Sequence, residues 1–316
     1  MLADAGARPR AIDVLAAARV RHPDDFWLNY ELSRHLIMQG HTPAGVAEAL
    51  SYARSAQALR PNNGRLHSTV ANRLWSLGRV DEAIAGHRRA VELAPDDAVI
   101  HYSLGRALAT KGNWDEAIAA YEDARRLDPE ALEVSRWLPV AYKAVGRWDA
   151  SEATLRDLLR RAPTDYDALQ QLAWDLATHP DVARRDGHES RALALRAVEL
   201  RPDIGNGWNA LGTACYRVGD YEGAIKNLEK ARTFFQGGGA YEWYFLAMAH
   251  WQLHNGPQAL HWHARASQWM KTSEKWLETN PVAKSELNRI RTEAAEVLGL
   301  SAVPNSGDKD GLPKRP

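Results

Sequence analysis

The sequence predicts an all-α fold, a right-handed superhelical solenoid of about seven helical hairpins followed by a C-terminal capping helix. Three observations predict it. First, residues 64–97 and 98–131 align without a gap. Gly78 falls over Gly112, Ala83 over Ala117, Ala90 over Ala124 and Pro95 over Pro129, a period of 34 residues. Second, the landmarks recur along the chain. Prolines stand at Pro23, Pro61, Pro95, Pro129, Pro163 and Pro202, and glycines at Gly6, Gly40, Gly78, Gly112, Gly146 and Gly219. Small residues follow at Ala11, Ala49, Ala83, Ala117, Ser151, Ser190, Ala224 and Ala259. Third, 316 residues with 45% hydrophobic and 25% charged side chains are enough for a folded, elongated repeat domain.

Each landmark has a local cause. A glycine at position 15 of the unit lets the first helix end in a left-handed cap. An acid early in the second helix (Asp81, Asp115, Asp149, Glu222) faces the positive end of that helix's dipole. Alanines at positions 20 and 27 let helices approach closely. Proline at position 32 stops the second helix, and the Asp, Asn or Thr after it caps the next one.

The pattern resembles the tetratricopeptide repeat. The unit from Ala98 supplies Leu104-Gly105, Ala117, Tyr121, Ala124 and Pro129; the unit from Gly205 supplies Trp208, Leu211-Gly212, Ala224 and Ala231. Seven full units begin near Phe26, Gly64, Ala98, Leu132, Tyr166, Gly205 and Ala240. The expected organisation is a partial repeat over 1–25 holding only a second helix, an array over 26–273, a capping helix within 274–300 and a disordered tail over 301–316. The mid-unit start suggests a lost first helix or an internal start within a longer reading frame. Insertions around GHTPAGVA and THPDVARRDGHES are expected at hairpin tips. Pro139 lies inside a first helix, so a kink is expected near Ser135. Val282, Leu287, Ile290, Ala294 and Val297 make the last helix amphipathic, a cap for the open face of the final unit.

Composition narrows the function. Forty basic and forty acidic residues leave net charge +0, which argues against nucleic acid. No apolar run suits a membrane span, no signal peptide is evident, and the single Cys215 fits a reducing compartment, so a cytoplasmic protein is expected. Nucleotide-binding, zinc-protease, thiol-redox, hydrolase and kinase motifs are all missing, so no enzyme, cofactor or metal is expected. His250 and His254 have the spacing of a metal pair, yet His250 and His263 take positions 11 and 24, which pack within a hairpin. Cys215 also takes position 11 and reads as core filler.

The resemblance implies that positions 2, 5, 9 and 12 of each first helix line a concave groove. There the sequence places Tyr30, Arg34, Arg65, Asn72, Trp75, Tyr102, Arg106, Arg136, Lys143, Trp174, Asn209, Tyr216, Tyr244 and Trp251. Arginine and aromatics are the residues enriched at interaction hot spots. The expected partner is a protein or peptide with acidic or phosphorylated residues and apolar anchors. From Ala173 onward the sequence is also similar to the C-terminal repeat region of bacterial eukaryotic-like Ser/Thr protein kinases. That resemblance implies a non-catalytic fragment or a stand-alone relative; the alternative function is the regulatory or substrate-docking part of a Ser/Thr kinase polypeptide whose catalytic domain is encoded upstream. The expected function is a non-catalytic protein–protein interaction scaffold.

Overall fold

The computed structural model describes residues 7–300; these hold seventeen α-helices, one short 3-10 turn and no strand. Gly6, expected as a left-handed cap, and the tail 301–316 lie outside the described residues. The chain divides into two compact units, residues 1–145 and 146–316.

The first unit opens with α1 (Ala7–Arg21), which packs on α2 (Phe26–Gln39). Hairpins follow: α2 with α3 (Pro43–Leu59), α4 (Gly64–Ser76) with α5 (Val80–Leu93), and α6 (Ala98–Lys111) with α7 (Trp114–Leu127). The unit closes with α8 (Leu132–Ala144), packed on α7. Pro139 is buried inside α8, and the helix runs through it unbroken.

The second unit begins with α9 (Trp148–Arg161), packed on α10 (Tyr166–Thr178). Its hairpins are α10 with α11 (Gly187–Leu200), α12 (Gly205–Arg217) with α13 (Tyr221–Phe234), and α14 (Ala240–Gln252) with α15 (Gly256–Thr272). A short α16 (Glu274–Thr279) leads to α17 (Pro281–Val297). The unit boundary therefore falls inside the sequence repeat that starts at Leu132.

The landmarks act as their chemistry requires. Gly78, Gly112, Gly146 and Gly219 have φ of +74°, +83°, +76° and +80°, the left-handed region where glycine carries no Cβ penalty. Gly40 departs from the expectation: its φ of 163° is extended, because the inserted loop passes directly to the Thr42 cap and Pro43 of α3. In the last hairpin His254, at φ +57°, stands where the glycine would be. Asp25, Asn63, Asp97 and Asp165 accept from backbone N–H groups of the helices they precede. Ala83, Ala90, Ala117, Ala124, Ala224 and Ala231 are wholly buried. Gly105 is needed for space: a Cβ there would lie 2.7 Å from the Tyr121 ring. No described helix is long and apolar enough to cross a membrane.

The segment 274–300, expected to hold a cap over the last hairpin's open face, forms two helices, and α17 packs on α14, the first helix of that hairpin. Its amphipathic face does bury Leu287, Ile290 and Ala294. Its polar side chains reach α10, α12 and α14. It lies on the first-helix face of its unit.

Candidate functional site

In the first unit the first helices bring Trp75 from α4, Tyr102 and Arg106 from α6, and Trp137 from α8 to one place. The Arg106 guanidinium carbon lies 4.6 Å from the Trp75 ring centroid, 5.7 Å from Tyr102 and 5.9 Å from Trp137. Trp75 is held in turn by its indole N–H, which donates to Thr110 Oγ1 at 3.0 Å. Trp75, Arg106, Thr110 and Trp137 border a cavity of about 240 Å³ whose remaining wall includes Tyr121 and Val140. Trp137 is 48% exposed, a large apolar surface left to solvent. Sequence register misses it, since it stands at position 6 of its unit rather than 2, 5, 9 or 12.

Arg106 differs from its neighbours in what it pairs with. Arg34 is bound to Glu31 at 2.6 Å, Arg65 to Asp97 at 2.6 Å, and Arg136 lies 3.9 Å from Glu133. Among the described residues no carboxylate pairs with Arg106. Aromatic rings cover the plane of a guanidinium, at about 0.5–2 kcal/mol per contact, while leaving its N–H edge for an anion. Arg106 is held in aromatic contact without an acid.

The second unit is arranged differently. Trp174 Nε1 on α10 donates to Glu286 Oε1 on α17 at 2.7 Å, and the Tyr241 hydroxyl on α14 donates to Glu286 Oε2 at 3.1 Å. One helical turn pair further on, Glu293 takes two guanidinium groups: Arg217 from the end of α12, and Arg185 from the inserted loop at 3.0 Å. Burial pushes the Glu293 carboxyl up, but the hydrogen bond and charge of Arg217, with the charge of Arg185, outweigh it and hold it below the ordinary glutamate value. Both arginines are anchored from behind, Arg217 Nε to the Ala177 carbonyl at 2.7 Å and Arg185 Nε to that of His179 at 2.9 Å. Arg289 of α17 donates to the Thr178 carbonyl at 3.0 Å and lies over the Trp148 ring.

Comparison with known families identifies this architecture. Tetratricopeptide repeat models match residues 70–131 and 181–241, and a second such model matches 108–173, together just over half of the chain. The chain belongs to the tetratricopeptide repeat family. A tetratricopeptide repeat protein from Parabacteroides merdae superposes with TM-score 0.59 at 14% identity, covering 84% of this chain and 98% of that one. The APC/C hetero-tetramer Cut9–Hcn1 gives 0.58 at 15% identity, with 90% of this chain and 52% of that one covered. Yeast Tom70 gives 0.52 at 18% identity, covering 94% and 62%. At these identities the likeness shows the tetratricopeptide fold alone. No curated protein sequence matches.

Within the tetratricopeptide frame the predicted groove residues separate into three sets. Trp75, Tyr102 and Arg106 come together in the first unit, with Tyr30, Asn72 and Lys143 half-buried on helices of the same unit. Trp174 and Tyr216 are each only 9% exposed; Trp174 is bonded to Glu286 of α17, and Tyr216 packs edge-on to Phe245 at 5.8 Å. Asn209 and Trp251 are half-buried. Tyr244 is a correction. It is fully buried, its hydroxyl meeting Ser267 and Met270 of α15, each at 3.3 Å, so it belongs to the hairpin core and not to a groove surface. His263 packs edge-on to the same Tyr244 ring at 5.6 Å, and Cys215 is buried beside Asn227. Among the described residues no group of three or more His, Cys, Asp or Glu side chains could hold a metal.

Proposed function

We propose that this protein is a non-catalytic protein–protein interaction module of the cytoplasm, and that the first-helix face of its first unit grips a peptide carrying an acidic or phosphorylated residue. One observation carries the proposal: Arg106 stands among Trp75, Tyr102 and Trp137 with no carboxylate paired to it among the described residues. The guanidinium would take the anion in a two-pronged hydrogen bond, and the exposed indole of Trp137 would cover an apolar neighbour in the peptide. Arg34 and Arg65, already paired within the chain, would contribute little. Peptides selected on the intact protein from an acidic, partly phosphorylated library test this. Arg106→Glu should weaken the selected peptides at least tenfold and Trp137→Ala several-fold, with Arg34→Gln nearly silent. Unchanged affinity in Arg106→Glu contradicts the proposal.

The similarity of the stretch from Ala173 onward to kinase-linked repeat regions supports a second proposal, that the module serves as the regulatory or substrate-docking part of a Ser/Thr kinase polypeptide. Reading the DNA upstream of the Met1 codon tests it. In-frame kinase motifs would support it, and an immediate stop codon would contradict it.

A further inference from the structure

The first-helix face of the second unit is occupied by the chain's own helix, and the terms of that occupancy describe a ligand. The face supplies two indole or phenol donors, Trp174 and Tyr241, to one carboxylate, and two guanidinium groups, Arg185 and Arg217, to another. The two acceptors, Glu286 and Glu293, are seven residues apart, two turns along one face of a helix. Leu287, Ile290 and Ala294 fill the apolar seam between them. This is helix-in-groove recognition carried out within one chain. Arg185 and Arg217 are 15% and 12% exposed, and among the described residues Glu293 is the one carboxylate that pairs with either. Without α17 the face would therefore present two anchored cations to solvent, pre-set for an acid.

Asn209 Oδ1 and Thr213 Oγ1, at positions 5 and 9 of α12, are buried with no hydrogen-bond partner, as is Gln171 Oε1 on α10. Each unpartnered buried oxygen lowers the stability of this helix packing, because the donor it had in water is not replaced.

We infer that the first-helix face of the second unit is a binding site for an amphipathic helix with glutamates seven residues apart, and that α17 is its built-in occupant, displaced when such a partner binds. This site is separate from the Arg106 face of the first unit and does not depend on it. In the resting protein α17 shields Trp174, Tyr241, Arg185 and Arg217. On displacement, the partner's acids take over those four donors.

The test uses the full chain and a fluorescent alanine-based helix carrying Glu at i and i+7, Leu at i+1, Ile at i+4 and Ala at i+8. Glu286→Lys with Glu293→Lys, which frees α17, should bind this probe at least tenfold tighter than the wild type. Adding Arg217→Glu should abolish the gain, and a probe with Gln for both Glu should bind at least tenfold more weakly. Hydrogen exchange on the wild type gives a measurement that needs no variant: α17 amides should exchange faster than those of α12 and α14, and faster again with saturating probe. The inference is overturned if α17 exchanges only as slowly as α12 and α14, or if the freed variant, helical by circular dichroism, binds no tighter than wild type. Because the gain from freeing α17 should persist in an Arg106→Glu background, failure here and failure of the first-unit site are distinguishable.

Discussion

Trp174 and Glu286 are joined by a 2.7 Å hydrogen bond across 112 residues of sequence. The bond fixes where the last helix lies, because Trp174 sits on α10 and Glu286 near the start of α17. Trp174→Phe keeps an aromatic ring facing Tyr241 and Phe245, though a smaller one, and deletes the donor. Glu286 would then rely on Tyr241 alone. A loss of about 1.5–3 kcal/mol is expected for a hydrogen bond to a charged group. Urea unfolding followed by circular dichroism would measure it, and hydrogen exchange should show faster opening of α17 than of α12.

Glu293 links two guanidinium groups that are 15% and 12% exposed, and breaking such a pairing leaves poorly solvated, uncompensated charge. Glu293→Gln should destabilise the second unit by about 3 kcal/mol or more. The same pairing predicts a pH dependence. The folded carboxyl titrates below its unfolded value, so its contribution is complete above about pH 4.3 and is lost as pH falls through the folded pKa. Opening rates at α17, read from amide exchange corrected for its intrinsic pH dependence, should rise first at this helix in the wild type as pH falls from 6 to 3. In Glu293→Gln they should already be raised at pH 6.

The landmarks of the repeat were legible because each solves a local problem. A left-handed turn at Gly112, a helix stop at Pro129 and a close approach at Ala117 need no knowledge of distant residues. Gly40 shows the limit: four inserted residues change the path of the turn, and the same residue type then adopts an extended conformation. The position of α17 was not legible. Leu287, Ile290 and Ala294 say that one face is buried, but amphipathicity does not say against what. Tyr244 illustrates the same gap, since register puts it on the groove while Ser267 and Met270 draw its hydroxyl into the hairpin. Trp137 was missed because an exposed aromatic off the register carries no periodic signal.

His87 gives a pH dependence in the first unit. The ring is wholly buried, with Ser68 Oγ at 3.3 Å from Nδ1 and Nε2 without a partner. Burial, and then the charge of Arg106, push its pKa down to about 4. Between about pH 6.5 and pH 4 the unfolded chain therefore binds a proton that the folded chain does not, and stability falls as pH falls through that window. The difference between pH 7 and pH 4 should be about 3 kcal/mol from this residue. His87→Leu should flatten the profile between pH 7 and pH 5, where carboxylates contribute little. An unchanged slope in chemical unfolding would contradict the assignment.

Gly105 tests the packing of the repeat itself. Its missing side chain admits the ring of Tyr121, and any Cβ would fall at 2.7 Å. Gly105→Val should destabilise the first unit by about 2 kcal/mol through overpacking, measured as a lowered urea midpoint. Gly105→Val combined with Tyr121→Ala should recover part of the loss, because the colliding ring is then gone.

The account rests on the two faces being in different states, the first open to a ligand and the second filled by α17. The most direct measurement is the hydrogen-exchange footprint of an acidic peptide selected on the wild-type chain. Protection should appear in α4, α6 and α8 around Arg106, with α17 exchange unchanged. Protection confined to α10, α12 and α14, with none in the first unit, would contradict it.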